Sequence, residues 1–206
     1  MTLERMSEGA IQILKDAIRN KRCVPVVGAG ASISAGGPDW TGYLEQLAEG
    51  LAPEFRALTR SAEDPTDIAA VLNHQRWFEG LEPVPVKEGP HGQVHQALAL
   101  WRCPLYLTTN FDARLDNAVR QSDARAVVKG NQELAELKLS SLFGTADSPP
   151  CVVKLCCTHG TTNPGISTRF EFAELVLRNP AAIDCCWLSC AATQSHLSVA
   201  AWKIRF

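Results

Sequence analysis

The stretch Cys23-Val24-Pro25-Val26-Val27-Gly28-Ala29-Gly30-Ala31-Ser32 decides how the chain reads. Its first half is a short, almost wholly apolar run, the kind that forms a strand buried on both faces of a parallel sheet. Pro25 cannot donate to a sheet ladder, so it belongs early in that strand or at an edge-facing position. The second half is a glycine-rich turn. Glycines at 28 and 30 let the backbone turn sharply and approach a bound group without Cβ clashes. The exposed N–H groups, with the Ser32 hydroxyl, suit phosphate oxygens. Ile33 stands where a third glycine completes the usual dinucleotide fingerprint, and the Gly-Lys-Ser/Thr ending of an ATP-binding loop is absent. Alone, the turn reads equally as phosphate binding or as a plain strand-to-helix connection.

Outward from this strand, apolar spacing marks the neighbouring elements. Ile11, Leu14 and Ile18 predict an amphipathic helix over about 7–20. Trp40, Tyr43, Leu44, Leu47 and Leu51 predict a second, Ile68, Val71 and Leu72 a third, and Val94, Leu98 and Trp101 a fourth that Cys103-Pro104 stops. Between the last two, residues 79–92 hold three prolines and three glycines and read as a loop or lid. Leu105-Tyr106-Leu107 is a brief strand, Phe111, Leu115 and Val119 begin another helix, and Ala126–Val128 and Cys151–Leu155 are two further strands. A late helix at Phe172, Leu175 and Val176 and a last strand over His196–Ile204 complete the reading. Strands alternating with helices predict an α/β fold, a parallel sheet with helices on both faces. At 206 residues the chain fits one domain, 1–206.

In such sheets ligands bind at the carboxyl ends of the strands. Two more polar clusters lie there. Thr108-Thr109-Asn110-Phe111-Asp112 offers hydroxyls, an amide and a carboxylate, although Asn110 or Thr109 capping the next helix is the plainer reading. His159-Gly160 follows the strand at 151–155, and an imidazole is the group best suited to take a proton near neutral pH. His74, His91, His95 and His196 show no strand-end context, although His91 falls in the lid.

Composition narrows the classes. A net charge of −2 and the lack of a basic face argue against nucleic acid. No apolar run reaches the roughly 18 residues a membrane span needs, and Met1–Glu8 lacks the apolar core of a signal peptide. A cytoplasmic location is expected. The eight cysteines do not follow zinc-site spacing: Cys156-Cys157 are adjacent, and Cys186 and Cys190 have no second pair. No metal is expected, and most thiols read as small buried hydrophobes.

The combination Gly28-Ala29-Gly30-Ala31-Ser32, Ala35-Gly36-Gly37-Pro38-Asp39-Trp40, Thr108-Thr109-Asn110-Phe111-Asp112 and Lys154-Leu155 with His159-Gly160 resembles the sirtuin-like family, from about Val24 to Ala182. Thr-Thr-Asn-Phe-Asp is the form typical of the family's prokaryotic branch. Protein deacylases usually carry Thr-Gln-Asn-Ile-Asp and paired Cys-x-x-Cys motifs, both absent here. Many members of the prokaryotic branch are similar to NAD hydrolases of anti-phage defence, often working beside a sensor. The resemblance therefore implies a Rossmann-like, sirtuin-like sheet and cleavage of the nicotinamide–ribose bond of NAD, with NAD as substrate. A module that binds NAD or ADP-ribose without turnover, and an NAD-dependent deacylase, are the alternatives.

The resemblance assigns Gly28, Ala29, Gly30 and Ser32, with Thr108, to the pyrophosphate and neighbouring ribose. Asn110 orients the nicotinamide ribose or the attacking water, Asp112 recognises the carboxamide, and His159 serves as base or ribose contact. It also implies a homo-oligomer or a separate sensor protein as partner. Two departures stand out. Cys156-Cys157-Thr158 interrupts the Lys-Leu-His-Gly of relatives, and the C-terminal Gly-Tyr-Ser-like turn is replaced by Leu197–Trp202, so the last strands are expected to be incomplete.

Overall fold

A computed structural model of the chain describes residues 8–61, 63–82, 84, 88–131, 133 and 148–156. Along them run α1 (Glu8–Arg19), β1 (Val26–Val27), α2 (Ala29–Ile33), α3 (Trp40–Ala48), α4 (Pro53–Leu58), α5 (Pro65–Phe78), α6 (Gln93–Leu100), β2 (Leu105–Thr108), α7 (Arg114–Ser122), β3 (Val127–Lys129) and β4 (Cys151–Lys154). His159, the expected helix near Phe172–Val176, the expected strand over His196–Ile204 and the altered C-terminal turn lie outside the described residues.

The four strands form one all-parallel sheet in the order β1-β2-β4-β3. The fold is thus α/β with a parallel sheet, compatible with a Rossmann-like arrangement. Parallel pairing puts every carboxyl end on one edge. Val27 pairs with Thr108 and Thr108 with Lys154, so the strand ends that carry the sequence motifs stand side by side. Pro25 explains why β1 is short. Lacking an N–H, it contributes only its carbonyl, which accepts from Leu107 N at 2.9 Å.

The central strands β2 and β4 are buried along their whole length. One face of the sheet presents Val27, Tyr106, Val128 and Val152 to Leu98 and Ala99 of α6 and to Leu115, Ala118 and Val119 of α7. The opposite face carries Leu105, Leu107, Cys151, Val153 and Leu155, with Val24 and Val26 beside them. Each fully buried Leu or Val contributes about 1.5–3 kcal/mol, so the near-continuous apolar runs of these strands hold both faces of the sheet against their covering layers.

A second apolar core lies within the excursion between β1 and β2. Tyr43, Leu44 and Leu47 of α3 pack on Ile68, Ala69 and Leu72 of α5, with Phe55 and Leu58 of α4 alongside. Asp39 and Asp64 cap α3 and α5, accepting from Gly42 N at 2.8 Å and Thr66 N at 2.9 Å, and Pro65 opens α5 where its missing N–H costs nothing. The Arg76 side chain ties the module shut by donating to the carbonyls of Leu47, Glu49 and Glu82. Phe111, from the loop after β2, packs against this core, its ring 5.9 Å from that of Tyr43. The helical module therefore rests on the strand-end loop itself. None of the described helices is long and apolar enough to cross a membrane.

Candidate functional site

The site begins where β1 and β2 end. Thr108, the last residue of β2, donates its hydroxyl to Val27 O at 2.9 Å and accepts from Asn110 N at 3.0 Å. Thr109 N reaches the same Val27 carbonyl at 3.2 Å. These bonds turn the chain so that the Asn110 amide faces the glycine turn. Its Nδ2 donates to Gly28 O at 3.1 Å and to Ser32 Oγ at 3.0 Å. Two motifs about eighty residues apart are thereby joined through side chains that are all buried.

The glycine turn holds its shape through the main chain. Gly28 is extended and precedes α2, and Ser32 is buried in that short helix. Ser32 O accepts from Ala35 N at 3.0 Å, Gly37 N at 2.8 Å and the Arg114 guanidinium at 2.9 Å. At Gly30 a Cβ would meet nothing within 4 Å, so this side of the turn is open. At Gly37 a Cβ would collide with Ser32 O and Arg114. Gly37 therefore admits the guanidinium, while Gly30 leaves space in front of the turn.

Asp112 is buried, and its Oδ1 accepts from Arg114 N at 3.0 Å, an Asx turn that starts α7. The expected capping role thus falls to Asp112, and Asn110 is left to cross to the other strand. Behind the loop, Lys154 at the end of β4 donates to Phe111 O at 3.0 Å, Asp112 O at 2.8 Å and Asp116 Oδ2 at 3.2 Å. Burial pushes the Asp116 carboxyl above its ordinary value, and Lys154 opposes that rise.

Among the proposed contacts, Gly28, Ala29, Gly30, Ser32, Thr108, Asn110 and Asp112 come together at this edge. His159 lies outside the described residues. The structure adds three residues that sequence reading did not select. Lys154 appeared only as part of a motif, yet it anchors the loop. Arg114 is 3% exposed, and its Nε has no hydrogen-bond partner among the described residues.

His95 is the third. It is fully buried, and its Nδ1 accepts from Gly92 N at 3.2 Å, which leaves the proton on Nε2, an atom with no hydrogen-bond partner among the described residues. Burial holds its pKa below the ordinary histidine value; Asp112 opposes this, and Arg114 and His91 reinforce it. The only sequence signal for His95 was its place at the third position of a helix following glycine, where a side chain can reach back to the capping residue.

Of the 79–92 loop, Gly89 and Gly92 are placed against the site. A Cβ on Gly89 would collide with the Arg114 guanidinium, and one on Gly92 would meet Ala35 Cβ at 2.8 Å. The far end of the loop thus covers Arg114 and the segment after α2. Among the described residues no group of three or more His, Cys, Asp and Glu side chains gathers as a metal site would require. No protein-family model matches the chain, and no curated protein matches it significantly.

Proposed function

We propose that the chain is a sirtuin-like NAD glycohydrolase that cleaves the bond between nicotinamide and ribose, acting in the cytoplasm in anti-phage defence. The observation that supports this best is the pair of bonds from Asn110 Nδ2 to Gly28 O and Ser32 Oγ. They bring a ribose-binding type of amide against a turn suited to pyrophosphate, at the edge where parallel sheets hold ligands. The open space in front of Gly30 fits close approach of a phosphate to the main chain.

In this reading Gly28, Ala29, Gly30, Ser32 and Thr108 hold the pyrophosphate and its ribose. Asn110 orients the nicotinamide ribose or water, Asp112 accepts from the carboxamide, and His159 takes the proton. Departure of neutral nicotinamide leaves positive charge on the ribose. Fixed dipoles in a dry pocket stabilise that charge as it develops. Purified protein is expected to release nicotinamide from NAD, and Asn110→Ala and His159→Ala are expected to abolish release. Undiminished release in both variants rejects these roles. Measuring release across protein concentrations also tests whether activity needs self-assembly.

One observation favours a second reading, a module that holds NAD or ADP-ribose without turnover. Both hydrogens of the Asn110 amide are already committed, to Gly28 O and Ser32 Oγ. Hydrolysis requires at least one to be exchanged for substrate. Calorimetric binding of ADP-ribose with no nicotinamide released over hours selects this second reading. No binding at all rejects both.

A further inference from the structure

The amino ends of β1 and β2 mirror each other. Helix α1 ends, Lys21 takes a left-handed φ of 55°, and two residues later comes Cys23. Helix α6 ends, Arg102 takes a φ of 51°, and Cys103 follows. Each left-handed residue turns the chain out of a helix and into a strand. Val26 pairs with Leu107, and carrying that register back three residues sets Cys23 opposite position 104, beside Cys103. Neighbouring strands lie about 4.8 Å apart, inside the roughly 4.4–6.8 Å Cα window of a disulfide.

The side chains agree with the backbone. Cys103 is fully buried in the cluster formed by Val27, Tyr106 and Val128, and Cys23 packs against the same cluster, partly exposed. The two thiols are near enough to perturb each other's ionisation. The Tyr106 hydroxyl accepts from Cys103 N at 3.0 Å and donates to Leu98 O at 3.1 Å, which fixes the main chain beside Cys103. A cavity of about 370 Å³ opens onto Cys103, lined also by Lys21, Arg102 and Arg125.

We propose that Cys23 and Cys103 are a peroxide-oxidisable dithiol that closes into a disulfide across the amino ends of β1 and β2. Cys23 is the partly exposed member of the pair and Cys103 the buried one, so Cys23 meets the peroxide first and is the attacking sulfur. The neighbouring Cys103 thiol also holds Cys23 below its ordinary value, while Cys23 and burial push Cys103 up. Its thiolate takes an OH from hydrogen peroxide and becomes a sulfenic acid, and hydroxide leaves. The Cys103 sulfur then attacks the sulfenic sulfur, the S–O bond breaks, and the Cys103 proton departs with the OH as water. In sum two thiols and one peroxide give one disulfide and two waters. Cys151 makes a useful contrast, since burial pushes its thiol up to about 11 and leaves it little thiolate to react.

The test uses the full chain, and it does not depend on the NAD reading. Folded protein is treated with equimolar hydrogen peroxide, alkylated and digested with trypsin. Residues 23–56 and 103–114 form two tryptic peptides with one cysteine each. They are expected to appear joined, lighter than their sum by two hydrogens and separable by dithiothreitol. Peroxide is also expected to raise the Tm of the parent chain and not that of Cys23→Ser, a change at a partly exposed position that leaves the buried Cys103 in place. Cys23 recovered as sulfinic acid, or joined to any other cysteine or to a second chain, overturns the proposal. So does a rise in Tm that persists in Cys23→Ser.

Discussion

At the carboxyl ends of β1 and β2, side chains bond mainly to main chain. Asn110 donates to Gly28 O, Thr108 to Val27 O, Arg114 to Ser32 O, and Lys154 to the carbonyls of Phe111 and Asp112. At the amino ends of the same strands, the thiols of Cys23 and Cys103 neighbour each other in an apolar cluster, and the Tyr106 hydroxyl bridges two main-chain groups. Among the described residues, the first arrangement leaves buried donors over, on Arg114 Nε and His95 Nε2. At the second, the Tyr106 hydroxyl is satisfied both as acceptor and as donor. Buried polar groups without partners cost stability, and such costs concentrate where a ligand supplies the missing partner. The two ends differ, then, in whether buried donors stay unpartnered among the described residues.

The largest effect is expected at Lys154. It is 4% exposed and holds two carbonyls and the buried Asp116 carboxylate. Lys154→Met strands that carboxylate and is expected to cost about 3–5 kcal/mol in urea unfolding. Adding Asp116→Leu removes the unpaired charge and is expected to return most of the loss. A double variant no more stable than the single one rules out the ion pair as the cause. Cys151→Ala, at the amino end of the same strand, loses only a small buried side chain and is expected to cost less.

The next effect tests the cross-strand amide. Asn110→Ala removes two hydrogen bonds, at about 1 kcal/mol each. Asn110→Asp is expected to be worse by about 1–2 kcal/mol, since a carboxylate cannot donate to Gly28 O and loses hydration on burial. Equal stability of the two variants breaks this account of the site. Two glycines sharpen it further. Gly37→Ala puts a Cβ against Ser32 O and Arg114 and is expected to cost about 1–3 kcal/mol. Gly30→Ala meets nothing and lies in α2, so it is expected to be neutral or slightly stabilising. If the turn holds NAD, the same Gly30→Ala weakens NAD binding at least tenfold while the melt is unchanged.

The fold was legible wherever hydrophobic period was the deciding force. The β2 and β4 runs, most apolar positions of α3 and α5, Leu115 and Val119 of α7, and the polar clusters after β1 and β2 stand in the sequence as they stand in the sheet, whereas Val71 of α5 is exposed and Phe111 lies in the loop before α7. Two short helices were not. Residues 29–33 carry two small residue types, an isoleucine and a serine, with no period to read, and α4 spans six residues of which Phe55 and Leu58 face the core. Arg114 was illegible for a different reason. It sits beside Leu115 in a helix whose apolar stripe is clear, where a charged residue reads as solvent-facing. Only the shape of Gly37 and Gly89 makes room for it. His95 likewise needed its surroundings, since the Asp112 and Arg114 that perturb it are brought near by the sheet and not by sequence.

Acid titration gives the smallest effects and separates the two ends by pH. His95 belongs to the carboxyl end, with Asp112, Arg114 and His91 as its charged neighbours. Its folded pKa lies below its unfolded value, so the native state resists taking the proton that the unfolded chain binds. Stability from this group is complete above the ordinary histidine pKa of about 6.5 and falls as pH drops below it, by at most about 1.4 kcal/mol per pH unit. His95→Gln keeps a side-chain acceptor for Gly92 N and removes the titration, so the slope between about pH 6.5 and 5 is expected to flatten. Asp123 reports on the amino end, where it lines the cavity beside Cys103. Hydrogen bonds from Arg125 hold its pKa at about 2, below the unfolded value, so its contribution is present above about pH 4 and disappears as pH falls toward 2. Because this pair is partly exposed, the step is expected to be slight and to shrink in salt. An acid limb that Asp123→Asn alters more than His95→Gln reverses the ranking of the two ends.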